Sequence, residues 1–133
     1  MENQPGKFNP STSLGQKFRV WWDEDNQIIR AKFWGDQDEA SALGALEEIQ
    51  KILADKPDKT LLLIDLTKAG SVSSGARKRF IEIAKLEKIK KEAQFGMGTV
   101  VRIVTSFVIK FAGVTNSKYF ATEEEALRWL KEQ

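Results

Sequence analysis

The chain has no cysteine and no histidine. Without cysteine there are no disulfides, thiolate nucleophiles or thiolate metal sites, and the redox compartment stays open because a thiol-free protein is stable in either setting. Without histidine the commonest general base, the usual imidazole metal ligand and every Ser-His or Cys-His triad are missing. Catalysis would need carboxylates, lysines or a cofactor, and nothing in the sequence implies a cofactor or a metal. The expectation is a protein that is not an enzyme.

Long apolar runs are missing too: no stretch approaches the roughly 20 residues that cross a bilayer. Residues 1–16 carry Pro5 and Pro10 and few apolar side chains, with neither the charged nor the apolar region of a signal peptide. They are expected to form a flexible tail ahead of one domain over 17–133, with the cytoplasm as the default location. A formal net charge of +2 is too small to point by itself to a polyanion.

What the chain does contain is Thr60-Leu61-Leu62-Leu63-Ile64-Asp65-Leu66-Thr67, a continuous apolar run with one carboxylate near its end. Such a run reads as a buried parallel strand, and ligands of open α/β sheets gather where such strands stop. Upstream, Phe18, Val20 and Trp22 share one face of a strand, Asp23 to Gln27 make a polar turn, and Ile29, Ala31 and Phe33 share one face of a second strand. A turn centred between Asp25 and Asn26 pairs Trp22 with Ile29, Val20 with Ala31 and Phe18 with Phe33, core to core. The other face then sets Trp21 opposite Arg30 and Lys17 opposite Trp34, an arrangement suited to cation–π contacts.

Asp36 or Asp38 can cap a helix running to about Lys56, with Leu43, Leu46, Ile49 and Leu53 at helical spacing and Pro57 as its stop. The strand Thr60 to Leu66 is followed by a loop from Thr67 to Ser73 and a helix from Ser74 to about Lys91, packed through Phe80, Ile83 and Ala84. Next come a short strand near Ala93 to Phe95, a tight Gly96-Met97-Gly98 turn, and a third helix from Thr99 to Ala112 closed by Gly113. A strand around Lys118 to Phe120 leads into Thr122-Glu123-Glu124-Glu125, a capping box that starts a final helix burying Ala126, Leu127 and Leu130. The expected order is β-β-α-β-α-β-α-β-α, an α/β fold with four helices.

That order, Leu62-Leu63-Ile64-Asp65-Leu66 with the downstream Ser73-Ser74-Gly75, and the ending from Tyr119 to Leu130 resemble the STAS domains, specifically the SpoIIAA-like branch also labelled STAS/SEC14. The resemblance covers about Phe18 to Gln133 and is most specific in its closing Phe-x-Thr-Glu-Glu-Glu-Ala-Leu-x-Trp-Leu pattern. It implies a small non-enzymatic domain with a mixed sheet flanked by helices. In signalling members a serine of an Asp-Ser-Ser-Gly motif, at the start of the second helix, is phosphorylated by a partner kinase, which switches binding to that kinase. Here Ser73-Ser74-Gly75 matches the last three positions, and Val72 stands where the aspartate would be. The branch has also been linked by fold to lipid-binding SEC14 domains.

Each candidate site residue has a structural and a functional reading. Ser73 or Ser74 can cap the helix, or can carry a phosphate that the helix dipole and Arg77 would stabilise. Asp65 can bind a ligand at the strand end or accept backbone N–H groups of the following loop. Arg77 and Lys78, with Lys85 and Lys88 farther along, form a basic stripe suited to an anion or an acidic protein, or a solvated face with Lys78 paired to Glu82.

The third helix can be ordinary core, or Phe107, Val108, Ile109 and Phe111 can form an apolar ligand or membrane surface joined by Trp21 and Trp34. The two tryptophans also suit a homodimer contact. The basic stripe lacks interleaved aromatics, so no nucleic-acid partner is expected. Two readings follow: a protein-interaction module, or a carrier of an apolar or lipid ligand with peripheral membrane contact.

Overall fold

The structure, a computed structural model, describes residues 16–96, 98 and 113–132. Two strands, β1 (Phe18–Asp23) and β2 (Ile28–Gln37), form a hairpin in the register read from the sequence, with Phe18 opposite Phe33, Val20 opposite Ala31 and Trp22 opposite Ile29. Gln27, at φ 57°, closes its turn. Three further strands follow, β3 (Thr60–Val72), β4 (Ile89–Phe95) and β5 (Ser117–Phe120). The sheet runs β1-β2-β3-β4-β5, antiparallel at the hairpin and parallel from β2 onward. It is therefore mixed, as expected.

Parallel neighbours need crossover connections. Helix α1 (Glu39–Ala54) carries the chain from β2 to β3 and α2 (Ser74–Ala84) from β3 to β4. Both lie on one face, where Phe18, Ile29, Ala31, Phe33, Leu62 and Ile64 of the sheet bury against Ala45, Leu46, Ile49 and Leu53 of α1 and Ile83 of α2. Helix α3 (Glu123–Leu130) covers the opposite face, seating Ala126 and Leu130 against Ile28, Leu63, Ala93 and Phe95. Its cap is the predicted one: the Thr122 side chain accepts from the Glu125 backbone N–H at 3.2 Å.

Three helices and five strands are present among the described residues. The expected helix from Thr99 to Ala112 and most of the expected N-terminal tail lie outside those residues. Two boundaries are corrected. The strand expected to stop at Leu66 runs on to Val72, because the tail of β2 extends with it through two register shifts. The second helix stops at Ala84, well short of Lys91, and β4 begins at Ile89. There Lys88 leaves the helix and donates its ammonium to the carbonyls of Leu53 and Lys56, closing the C-terminal end of α1.

Candidate functional site

The extended tails of β2 and β3 form a two-stranded ribbon in which Trp34 pairs with Lys68, Gly35 with Ala69 and Gln37 with Val72. Its residues are mostly polar, and side chains hold it together. Asp36 accepts the Ser71 backbone N–H at 2.9 Å, and its bonds from Ser71 hold its carboxyl below the usual carboxylate range. Gln37, only 2% exposed, donates to the carbonyls of Lys17, Trp34 and Gly35 and accepts the Ser41 hydroxyl at 2.6 Å. No sequence signal marks this role, because an isolated glutamine in a polar stretch has no periodic signature.

The ribbon ends in two helix N-termini set side by side. Asp38, rather than Asp36, caps α1 by accepting the Ser41 N–H at 2.9 Å. Ser73 caps α2 by accepting the Ala76 N–H at 3.1 Å, while its own N–H donates to the Gln37 carbonyl. Ser73 and Ser74 are both exposed. Gly75 allows the close approach: a Cβ there would sit 2.9 Å from the Glu39 Cβ.

Cations in the first turns of α2 oppose the helix dipole, and the structure shows what engages them. Arg77 donates to the Val72 carbonyl at 2.8 Å. Arg79 bridges α2 to α1, donating to Glu39 and to Glu82, which raises its pKa further. The Lys78–Glu82 pair expected from spacing is not formed; Glu82 goes to Arg79 instead. Lys78 and Lys85 are exposed, whereas Lys88 is spent on α1, so the predicted stripe is broken.

Asp65 lies within β3, where one register shift begins, and its Oδ1 accepts both the backbone N–H and the hydroxyl of Thr67. That is the structural reading of this carboxylate: it satisfies an N–H that the interrupted ladder leaves over. Gly96, at φ 90°, packs against Thr67 from the end of β4. Asp65 and the Ser73–Lys78 turn thus belong to successive parts of one strand-to-helix connection, without a hydrogen bond between them.

Trp21 and Trp34 are half-buried on the α3 side of the hairpin. Arg30, opposite Trp21, sends its guanidinium to Asp23 at 2.7 Å and Glu123 at 2.8 Å. The described cation–π contacts fall elsewhere, with Lys56 over Trp22 at 3.7 Å and Lys91 over Trp129 at 4.8 Å. Phe107, Val108, Ile109 and Phe111 lie outside the described residues.

The described residues hold no group of three or more His, Cys, Asp or Glu side chains able to bind a metal, and no helix among them is long and apolar enough to cross a membrane.

The fold so described matches known relatives. The SpoIIAA-like family matches residues 28–131, and the chain belongs to that family. An uncharacterized protein with a SpoIIAA-like fold from Shewanella loihica PV-4 superposes with a TM-score of 0.63 at 21% identity, covering 85% of this chain and 91% of that one. The anti-sigma factor antagonist SpoIIAA, in its unphosphorylated form, superposes with a TM-score of 0.63 at 12% identity, covering 87% and 99%. At these identities the likeness is one of fold. Among curated proteins, no sequence matches the chain.

Proposed function

We propose that the chain is a non-enzymatic regulatory module that binds another protein through the surface around the first turn of α2. Ser73 or Ser74 is the phosphate acceptor that switches it. The observation that carries this reading is the pair of exposed serines at the end of the ribbon, in a fold shared with an anti-sigma factor antagonist described in its unphosphorylated form.

The local chemistry supports a switch. A phosphate on either serine gains the N-terminal N–H groups of α2 and the charges of Arg77 and Lys78. It also meets Glu39, which lies against Gly75 and holds Arg79. The added charge would compete for Arg79 and repel Glu39, loosening the α1–α2 contact at the surface that meets the partner. Asp65 serves by holding Thr67 at the register shift from which the ribbon starts.

A photo-crosslinker placed at Lys78 in cells of the host tests the reading. Capture of a protein that is lost in Ser73→Glu or Ser74→Glu and retained in the matching alanine variant supports it. Equal capture in the glutamate and alanine variants at both serines, or none in the unmodified protein, overturns it. The alternative, an apolar ligand or membrane surface, uses Phe107, Val108, Ile109 and Phe111, which lie outside the described residues, together with Trp21 and Trp34, which are half-buried on the α3 side of the hairpin.

A further inference from the structure

Among the described residues on the face that α3 covers, the helix packs chiefly over β3, β4 and β5 and meets the hairpin at Ile28 and through the Arg30–Glu123 ion pair, while Arg19, Trp21, Lys32 and Trp34 are half-buried. In the hairpin register Arg19 stands directly opposite Lys32 on this face. Like charges directly opposite on one sheet face destabilise the pair, so a protein that needed only a stable hairpin would not favour them. Neither cation forms an ion pair among the described residues. On the other side of Lys32 the register places Asp65, whose carboxylate is turned onto Thr67. Lys68, exposed, stands beside Trp34.

Trp21 and Trp34 flank the two cations, each two positions along its own strand. Neither indole N–H has a hydrogen-bond partner among the described residues, whereas Trp22 on the opposite face donates to Glu24 at 3.0 Å. β1 is also the outer strand of the sheet, with one row of backbone groups unpaired by any other described strand.

We propose that β1 takes up an extended, acidic segment of a partner protein as an added strand. Arg19 and Lys32 face its carboxylates, and Trp21 and Trp34 cover its apolar and aliphatic parts. Strand addition supplies main-chain hydrogen bonds, and alternate side chains then reach over the face that carries the cations. A flat bilayer fits less well, because α3, about 10 Å thick, stands on the same face beside the hairpin as a step. Arg and Trp are also the residue types that dominate protein contacts. This contact rests on the reading of the chain as a protein-binding module and lies apart from the α2 surface.

The test uses a peptide of alternating glutamate and valine, with a lysine–valine peptide of the same length as control, followed by amide NMR. The acidic peptide is expected to shift β1 and β2 amides, to weaken with salt, and to lose at least about tenfold in affinity in Arg19→Glu and less in Arg19→Gln. Arg19→Gln relieves the like-charge pair, so it folds at least as well and keeps the comparison valid. No binding, unchanged binding in Arg19→Glu, or shifts confined to other elements overturns the proposal. Anionic vesicles of phosphatidylglycerol or an oligothymidylate that bind in place of the peptide, and are lost in the same variants, overturn it in favour of another class of partner. Because Ser74→Glu leaves β1 untouched, failure here with crosslinking at Lys78 intact removes this contact alone.

Discussion

Glu92 and Ser117 face each other across the β4–β5 pair, with the Glu92 Oε2 accepting the Ser117 hydroxyl at 2.8 Å. The Gln94 amide donates to the same oxygen at 2.6 Å, while Oε1 has no partner among the described residues and the side chain is 1% exposed. Burial pushes this carboxyl above its ordinary value of 4.5, and the bonds from Gln94 and Ser117 only partly offset that. The folded state therefore holds its proton at pH values where the unfolded chain has released it. Stability falls as pH rises from the ordinary value up through the folded one. Glu92→Gln should flatten this slope and raise stability at neutral pH, because the amide keeps an accepting oxygen and carries no charge to strip of water. Urea melts across a pH series check both effects, and an unchanged slope refutes the assignment.

The two serines separate by role. Ser73→Ala removes the cap of α2 and should cost about 1 kcal/mol, whereas Ser74→Ala, which breaks no described hydrogen bond, should stay within about 0.5 kcal/mol of the parent. Thermal melts of both variants decide it. Equal losses would mean that capping is not the stabilising role of Ser73.

Asp65 is expected to behave as a structural residue. Asp65→Ala should destabilise by about 1–2 kcal/mol by stranding the Thr67 N–H, and Asp65→Asn, which keeps the accepting oxygen, by less. Hydrogen exchange at the Thr67 amide should accelerate in the alanine variant. A loss as large in the asparagine variant would point to its charge instead.

Gly96→Ala combines two penalties. The residue sits at φ 90°, and a Cβ there would lie 2.8 Å from the Thr67 backbone nitrogen. A loss of about 2–4 kcal/mol is expected by chemical denaturation, with β3 and β4 forced apart at this junction. A near-neutral result would show that the junction can relax.

The hairpin was legible to the residue because its alternation and turn chemistry agree, and β3 because four apolar residues in succession leave few alternatives. The β3 extension was not legible: Thr67, Lys68, Gly70 and Ser71 have no apolar alternation, and pairing there depends on Asp36 and Gln37 from a distant stretch of chain. β4 misled for a related reason. Lys90, Lys91 and Glu92 look like the polar end of a helix, so only Ala93 to Phe95 reads as strand, yet Glu92 is buried in β4 because Gln94 and Ser117 of β5 donate to it. At the candidate site the serine cap was readable from Ser73-Ser74-Gly75. The bridge from Arg79 to Glu39 was not, because spacing within α2 says nothing of α1 beside it.

Among the described strands, only β1 and β2 pair across a tight turn. Such a hairpin forms in about 1–10 μs on its own, while each parallel neighbour must wait for a long loop to close. Refolding of this protein is therefore paced by topology rather than by local propensity. A chain emerging from synthesis would form this hairpin quickly but hold it only weakly, with the edge of β2 exposed, until α1 has returned β3 to its side.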